Sequence, residues 1–416
     1  RAGIGYQNYK LSFSYNPSIG QKFDFGLEAV AYTVKQGKLQ PGAESDVRAF
    51  ALPDEKSREM AGFIDYEWKI SSRISLAAGL RYSFFQLLGP GQVFTYATGE
   101  PKSPQTITDT VSYTKNQQIS QYGGLEPRLA FNLRLTETSA FKLSYNRMRQ
   151  YLHLVSNTTA ITPIDLWKNS NTYLPPQIGD QLAIGYFKNL KDNTYELSVE
   201  IYYKKLQNIV EYKDGADLFL SDANPVVEDD LISGEARAYG AEILARKNKG
   251  KLTGWLSYTY SRALRTTTGL NFTENINFGK EYPANFDTPH TVRIVGLWQI
   301  TPRTTFGSNF LYNTGRPITY PVSRFTVNGG VVVPVFLGRN QQRIPDYHRL
   351  DISFTFDGKI KKDRRWQSSW VMGIYNIYAR KNAYSIFFKT RNLIPQSYRL
   401  AVLGSALPYL TYNFKF

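Results

Sequence analysis

Apolar and polar residues take turns along most of this chain. Near its start Tyr9, Leu11, Phe13 and Tyr15 alternate with Lys10, Ser12 and Ser14. Ile74, Leu76, Ala78, Leu80, Tyr82 and Phe84 alternate with Ser75, Gly79, Arg81 and Ser83. The same period of two runs through Leu129–Leu135, through Tyr195, Leu197, Val199, Ile201 and Tyr203, and through His348, Leu350, Ile352, Phe354 and Phe356. Segments of about ten residues with one apolar and one polar face predict half-buried strands rather than helices, which need apolar positions at i, i+3 and i+4.

The connections alternate as well. Short turns are expected near 16–21, 71–73, 136–139, 191–193, 248–251, 301–303 and 358–364. Long connections, roughly 20 to 35 residues each and rich in Gly, Pro, Asn and Thr, fall near 35–56, 87–121, 150–176, 205–232, 262–288, 314–345 and 378–398. Short turns at one end and long loops at the other are the layout of outer-membrane barrels; soluble domains rarely carry so many long loops. The spacing predicts an all-β, antiparallel transmembrane β-barrel with about 15 strands, near 4–15, 22–34, 57–70, 74–86, 124–135, 139–149, 177–189, 193–204, 234–247, 251–261, 290–300, 303–313, 346–357, 365–377 and 404–416.

An odd count implies an incomplete barrel, because single-chain bacterial barrels have even strand numbers. An open sheet would leave unpaired backbone groups in lipid at several kcal/mol each. Residues 1–416 are therefore expected to be the C-terminal portion of a larger barrel. In the last strand, Leu410, Tyr412, Phe414 and Phe416 form an aromatic-rich row that suits lipid, opposite Tyr409, Thr411, Asn413 and Lys415. The same parity puts Glu196, Glu200, Glu242, Arg293, Arg349 and Asp351 in a wet lumen. Residues 365–377 are apolar on both faces and fix no register.

Composition narrows the function. Length alone would suggest two or three soluble domains, but Tyr 30, Phe 25 and Trp 6 with a mean hydropathy of −0.38 describe apolar content broken up rather than blocked. The aromatic content excludes disorder, and no 18-residue apolar run exists to form a membrane helix. With Cys 0 there is no disulfide, thiol nucleophile or cysteine metal site. No leader precedes Arg1, so a signal peptide is expected to be removed or to lie outside this sequence. The net charge of +16 favours an anionic partner: phosphorylated lipopolysaccharide or an anionic solute fits better than nucleic acid, because Lys and Arg are dispersed and no nucleic-acid module is present.

Catalytic motifs are lacking, so no enzyme and no cofactor are expected. His153, His290 and His348 are too far apart for a metal motif. Glu228, Asp229 and Asp230 sit together in a long connection and read as a solvated loop tip. Gly89-Pro90-Gly91 reads as a loop turn. Lys359, Lys361, Lys362, Arg364 and Arg365 read as a solvated turn, with docking to a periplasmic component as the sharper reading. Candidate ligand-binding residues are the loop aromatics Phe94, Tyr96, Tyr151, His153, Trp167 and Tyr173, with the lumenal Glu242, Arg293, Arg349 and Asp351. Exposed loop aromatics often mark binding surfaces; packing of loop against loop is the plainer reading.

The terminal Leu410-Thr411-Tyr412-Asn413-Phe414-Lys415-Phe416 resembles the C-terminal signal read by the barrel-assembly machinery, carried by Tyr412, Phe414 and Phe416. Arg237-Ala238-Tyr239-Gly240-Ala241-Glu242, Gly254-Trp255-Leu256-Ser257-Tyr258-Thr259-Tyr260-Ser261 and Pro283-Ala284-Asn285-Phe286-Asp287-Thr288-Pro289-His290 are similar to segments of TonB-dependent outer-membrane transporters of the Bacteroidota type. So are Tyr312-Asn313-Thr314-Gly315-Arg316-Pro317, Tyr347-His348-Arg349-Leu350-Asp351 and Tyr375-Asn376-Ile377-Tyr378. The resemblance implies a barrel of about 22 strands around a plug, energised by the TonB complex and importing a scarce solute through loops and lumen. This chain has neither plug nor TonB box. The implied partners are outer-membrane lipid and lipopolysaccharide, TonB through the plug, the assembly machinery, and a surface lipoprotein or other complex subunit. The alternative is a structural barrel subunit of a larger surface complex that transports nothing itself.

Overall fold

A computed structural model describes residues 3–36, 38–39, 50–156, 166–214, 216, 226–327, 331–358, 367–391 and 394–415. Fifteen strands follow one another in a single antiparallel path. They are β1 (Gly3–Ser18), β2 (Gln21–Lys35), β3 (Glu55–Lys69), β4 (Ile74–Leu88), β5 (Gln118–Thr136), β6 (Ser139–Gln150), β7 (Gln177–Leu190) and β8 (Tyr195–Tyr212). The path continues through β9 (Leu231–Lys247), β10 (Leu252–Thr267), β11 (His290–Thr301), β12 (Thr304–Asn313), β13 (Tyr347–Asp357), β14 (Gln367–Tyr375) and β15 (Leu407–Lys415). Each strand pairs with its neighbours in sequence, and among the described residues no ladder joins β1 to β15.

Register carries one side-chain row across the whole sheet. Starting from Tyr412 and Leu410, the partners are Trp370 and Met372, then Phe356 and Phe354. The row continues through Phe306, Trp298 and Leu252. It includes Ile243, Val199, Tyr186, Phe141 and Leu133 and reaches Ile64, Phe25 and Phe13. Irregularities lie towards the strand ends, so parity is kept through the middle. This places Trp370 and Met372 on the outer face and Val371 and Gly373 on the inner one, the register that sequence left open.

The outer row is apolar and uncovered. Leu11, Leu27, Ile201, Leu410 and Phe414 all stay exposed. A contiguous apolar band of this extent belongs against lipid. Cross-strand aromatic pairs tie it together, including Phe23–Tyr66 at 4.4 Å and Trp370–Tyr412 at 4.7 Å. Tyr412 and Phe414 lie in this band; Phe416 lies outside the described residues. The opposite row holds Glu59, Asp65, Glu196, Glu200, Glu242, Arg293, Arg349 and Asp351.

The buried core sits at the long-loop end rather than between the strands. Its clusters are Val155, Leu174, Tyr212, Val227 and Leu231; Phe85, Leu87 and Tyr151; and Ile232, Ile276 and Tyr282. Here several strands outrun their expected bounds: β5 starts at Gln118, β8 reaches Tyr212, and β10 reaches Thr267. Beyond the lipid band both faces pack against loops or water, so alternation no longer marks the strand. The long connections fold into hairpins of their own, including Gly91–Tyr96 with Ile107–Tyr113 and Leu152–Val155 with Leu166–Asn169.

Several of the family-like segments meet in space. Asp351 accepts hydrogen bonds from the Asn376 backbone N–H (2.9 Å) and from Arg349 (2.9 and 3.0 Å). The Asn376 side chain in turn donates to the carbonyls of Arg380 and Leu403. Asp287, fully buried, accepts from the Ala263 N–H, Arg262 and Arg343. Gly315 donates its N–H to Asp346 (2.8 Å). These are clamps that hold loop bases to strand ends.

Candidate functional site

The inner wall carries charge that the alternation left to water. Arg81 on β4 reaches Glu28 (2.7 Å) on β2, Glu59 (2.9 Å) on β3 and Glu126 (3.8 Å) on β5. Three carboxylates around one guanidinium leave this patch of wall acidic. Further round the sheet Glu242 and Arg293 are exposed on the inner face, while Arg349 and Asp351 pair with each other. Asp351 is buried and spent on the Asn376 clamp, so the exposed Arg293 and Glu242 are the more available of the four.

At the long-loop end, three chain segments converge. The hairpin strand Gly91–Tyr96 brings Phe94 and Tyr96, the hairpin Leu152–Val155/Leu166–Asn169 brings His153, Trp167 and Lys168, and a 3-10 turn, Val227–Asp230, brings Glu228 and Asp229. Tyr96 meets Tyr173 edge-on with ring centroids 5.4 Å apart. Tyr173 donates its hydroxyl to the Phe94 carbonyl, and Tyr96 donates to Asp229 Oδ1. Lys102 lies 5.4 Å over the Tyr173 ring.

Lys168 is buried between Glu55 (2.5 Å) and Glu228 (2.8 Å). Burial alone would push its ammonium down, but Glu228 and Glu55 outweigh it and hold the pKa above the ordinary lysine value. Burial likewise opposes the Glu228 carboxylate, and Lys168 outweighs it, leaving that pKa lowered. Asp229 goes the other way: burial raises it against the Tyr96 hydrogen bond. The expectation of a solvated acidic tip at Glu228-Asp229-Asp230 is therefore corrected. Glu228 and Asp229 turn inward because Lys168, Asn171 (2.7 Å to Glu228) and Tyr96 offer partners that compensate for lost water.

Two of the loop aromatics serve packing. Tyr151 is buried and stacks on Phe85 at 4.9 Å and 2°, with its hydroxyl 2.7 Å from Ser83. His153 is wholly buried, with Nε2 2.9 Å from Ser170 Oγ and Nδ1 3.3 Å from Gln177 Nε2; burial pushes its pKa down to about 4, so it is neutral. Trp167 accepts at its carbonyl from Gln36 Nε2 (2.7 Å). Phe94, Tyr96 and Tyr173 instead wall a cavity of about 640 Å³ with Leu87, Leu88, Val93 and Ile119. A second cavity of about 630 Å³ lies beside Arg339, which binds Glu211 (3.1 Å) and Asp214 (2.5 Å).

His290 and His348 stand apart from this site, beside Tyr258 and Tyr378, and among the described residues no cluster of His, Asp and Glu suits a metal. The basic turn residues Lys359, Lys361, Lys362, Arg364 and Arg365 lie outside the described residues. Sequence reading missed Arg81, Lys168 and Arg339. Each is an isolated basic residue whose acidic partners are distant in sequence, and only the strand register that brings Glu28, Glu59 and Glu126 beside Arg81 could have signalled one of them.

The family comparison decides the lineage: residues 3–377 match the TonB dependent receptor-like, beta-barrel family. The chain belongs to that family. Its members are outer-membrane barrels, and the apolar outer row is this chain's lipid-facing surface. No curated protein matches the sequence. Among solved structures, the chain is similar to the ferripyoverdine receptor of the Pseudomonas aeruginosa outer membrane (12% identity, TM-score 0.55, covering 99% of this chain and 48% of that one). It is also similar to the FrpB iron transporter of Neisseria meningitidis (10%, 0.58, 99% and 55%) and the ferric-catecholate import receptor Fiu of E. coli K12 (14%, 0.59, 99% and 54%). The chain thus spans about half the length of these structures, and at such identities the likeness shows the fold.

Proposed function

We propose that this chain is the C-terminal wall and loop crown of a transporter that takes up a scarce solute across the outer membrane, driven by the TonB complex through a plug outside this chain. The observation that carries this reading is the pairing of one lipid-facing row with a charged inner row and, at the long-loop end, a packed crown that encloses two cavities of about 630 and 640 Å³. A sheet built merely to anchor a complex needs no such crown. The relatives named above include a receptor for ferripyoverdine, an iron transporter and an import receptor for ferric catecholates, which supports a scarce solute as cargo. The free edges of β1 and β15 support further strands, about seven on the 22-strand pattern, that seal them. Lipopolysaccharide against the outer row, the assembly machinery at Tyr412, Phe414 and Phe416, and a surface lipoprotein over the crown are the partners of this reading, and catalysis has no part in it.

The test is depletion of solutes from defined medium, read by mass spectrometry, in the parent, a deletion of this gene and a TonB-null strain. A solute depleted by the parent and spared by both mutants is expected. Identical depletion in all three would refute uptake, and co-purification with a surface complex would then favour the structural alternative.

A further inference from the structure

The crown cavity behind Phe94, Tyr96 and Tyr173 is larger than loop packing requires, and its chemistry is selective. Its volume, about 640 Å³, falls within the range of small-molecule sites. Its lining is mostly apolar. Gln36, 6% exposed, lines it with Nε2 committed to the Trp167 carbonyl, which fixes the carboxamide so that Oε1 is the remaining acceptor. That Oε1 has no partner among the described residues but is closed even to water, so the acceptors that a solute would meet are the lining carboxylates.

Charge adds a second criterion. Among the described residues the lining carries Asp54, Glu55 and Glu228 against Lys168, which both Glu55 and Glu228 already engage, with Lys102 set 5.4 Å over the Tyr173 ring. The described lining is therefore net negative although the whole chain is +16. Placing an anion there would set like charges together in a partly dehydrated site.

We propose that this cavity binds a neutral or cationic solute with a ring-sized apolar body and N–H or O–H donors, and excludes anions of the same shape. The physiological purpose of such binding rests on the uptake reading above; the binding itself does not.

The test uses the full-length protein in lipid nanodiscs and two fluorine-labelled probes read by 19F NMR titration. 4-Fluorophenylalaninamide carries the ring, donors and positive charge; N-acetyl-4-fluorophenylalanine carries the same ring and a negative charge. Saturable binding of the amide is expected, with the anion at least about tenfold weaker. Asp54→Asn, which removes an exposed carboxylate of the lining, should weaken the amide by up to about fivefold and narrow its margin over the anion. Val93→Trp, which fills the cavity, should abolish binding while leaving heat-modifiable gel migration intact. Equal binding of the anion, no saturable binding of the amide, or undiminished binding by Val93→Trp would overturn the proposal. Saturable, charge-selective binding without TonB-dependent depletion would refute uptake and leave the cavity standing; TonB-dependent uptake indifferent to Val93→Trp would do the reverse.

Discussion

Tyr96 donates its hydroxyl to Asp229, and this one bond ties the first crown hairpin to a turn 133 residues further along the chain. The carboxylate is buried, its other oxygen has no partner among the described residues, and Tyr96 is its donor. Tyr96→Phe should therefore cost about 1–3 kcal/mol of local stability, the penalty of leaving a buried acceptor unsatisfied. Hydrogen exchange of Gly91–Tyr96 and Val227–Asp230 should accelerate together. In Tyr96→Phe/Asp229→Asn, exchange should slow again, because the buried charge is gone. Unchanged exchange in Tyr96→Phe would mean that the bond does not hold the crown.

His153 makes the crown sensitive to acid. Its folded pKa of about 4 lies below the ordinary 6.5, so the unfolded hairpin takes up a proton first. The stabilisation is complete above pH 6.5 and is lost as pH falls towards 4, on the order of 3 kcal/mol in all. Exchange protection of Leu152–Val155, corrected for intrinsic rates, should fall across that window. His153→Gln should flatten the slope, and an equally steep slope in that variant would assign the sensitivity to other groups.

Lys168 separates two carboxylates, and among the described residues it is the cation that bridges both. Lys168→Met leaves the half-buried Glu55 and Glu228 beside each other without their shared cation, and breaking such a pair costs up to about 3–5 kcal/mol. Limited proteolysis should cut the crown readily in Lys168→Met and less readily in Lys168→Met/Glu228→Gln. Parent-like resistance in Lys168→Met would show that the carboxylates take up protons or water at little cost.

The outer face gives a prediction about depth. Ile201 on β8 is 53% exposed to what would be lipid, with Ile184 and Ala241 as its cross-strand partners. Ile201→Arg should cost about 2–4 kcal/mol near the bilayer midplane, measured by denaturant titration in vesicles. Glu200→Leu, one residue away on the inner face, should cost much less. The opposite order would invert the register of the whole sheet.

Most of the barrel was legible because lipid on one side and water on the other impose period two. All fifteen strands, from β1 to β15, lie within a few residues of the expected positions along the lipid-facing span, and parity read from Tyr412 and Phe414 holds as far as Phe13. The crown was not legible in the same way. Its hairpins are held by partners far apart in sequence, such as Ser57 with Asn169 (2.8 Å) and Asn171 with Glu228, and no local pattern announces such pairs. Loop aromatics gave the right neighbourhood but did not separate Tyr151, which packs, from Tyr96 and Tyr173, which wall a cavity. The acidic triplet misled because solvation is the default for charge in a loop until a buried Lys168 is known.

Glycine identity explains one of the recognisable segments, and the last prediction follows from it. Gly254 on β10 has φ +147, and a Cβ there would sit 2.1 Å from the Val295 carbonyl of β11. Opposite it is Gly296, so the two strands approach each other most freely where neither carries a side chain. Alanine at Gly254 must shift its own backbone and push β11 away, combining a strained φ worth about 1–3 kcal/mol with weakened ladder bonds. Gly62 on β3 is the control: a Cβ there would meet Leu27 Cδ2 at 3.5 Å, an ordinary contact. Gly254→Ala should therefore lower the yield of heat-modifiable barrel in vesicle refolding, and Gly62→Ala should refold as the parent does. Equal refolding of both would mean that β10 and β11 can part without loss, and that the glycine has another use.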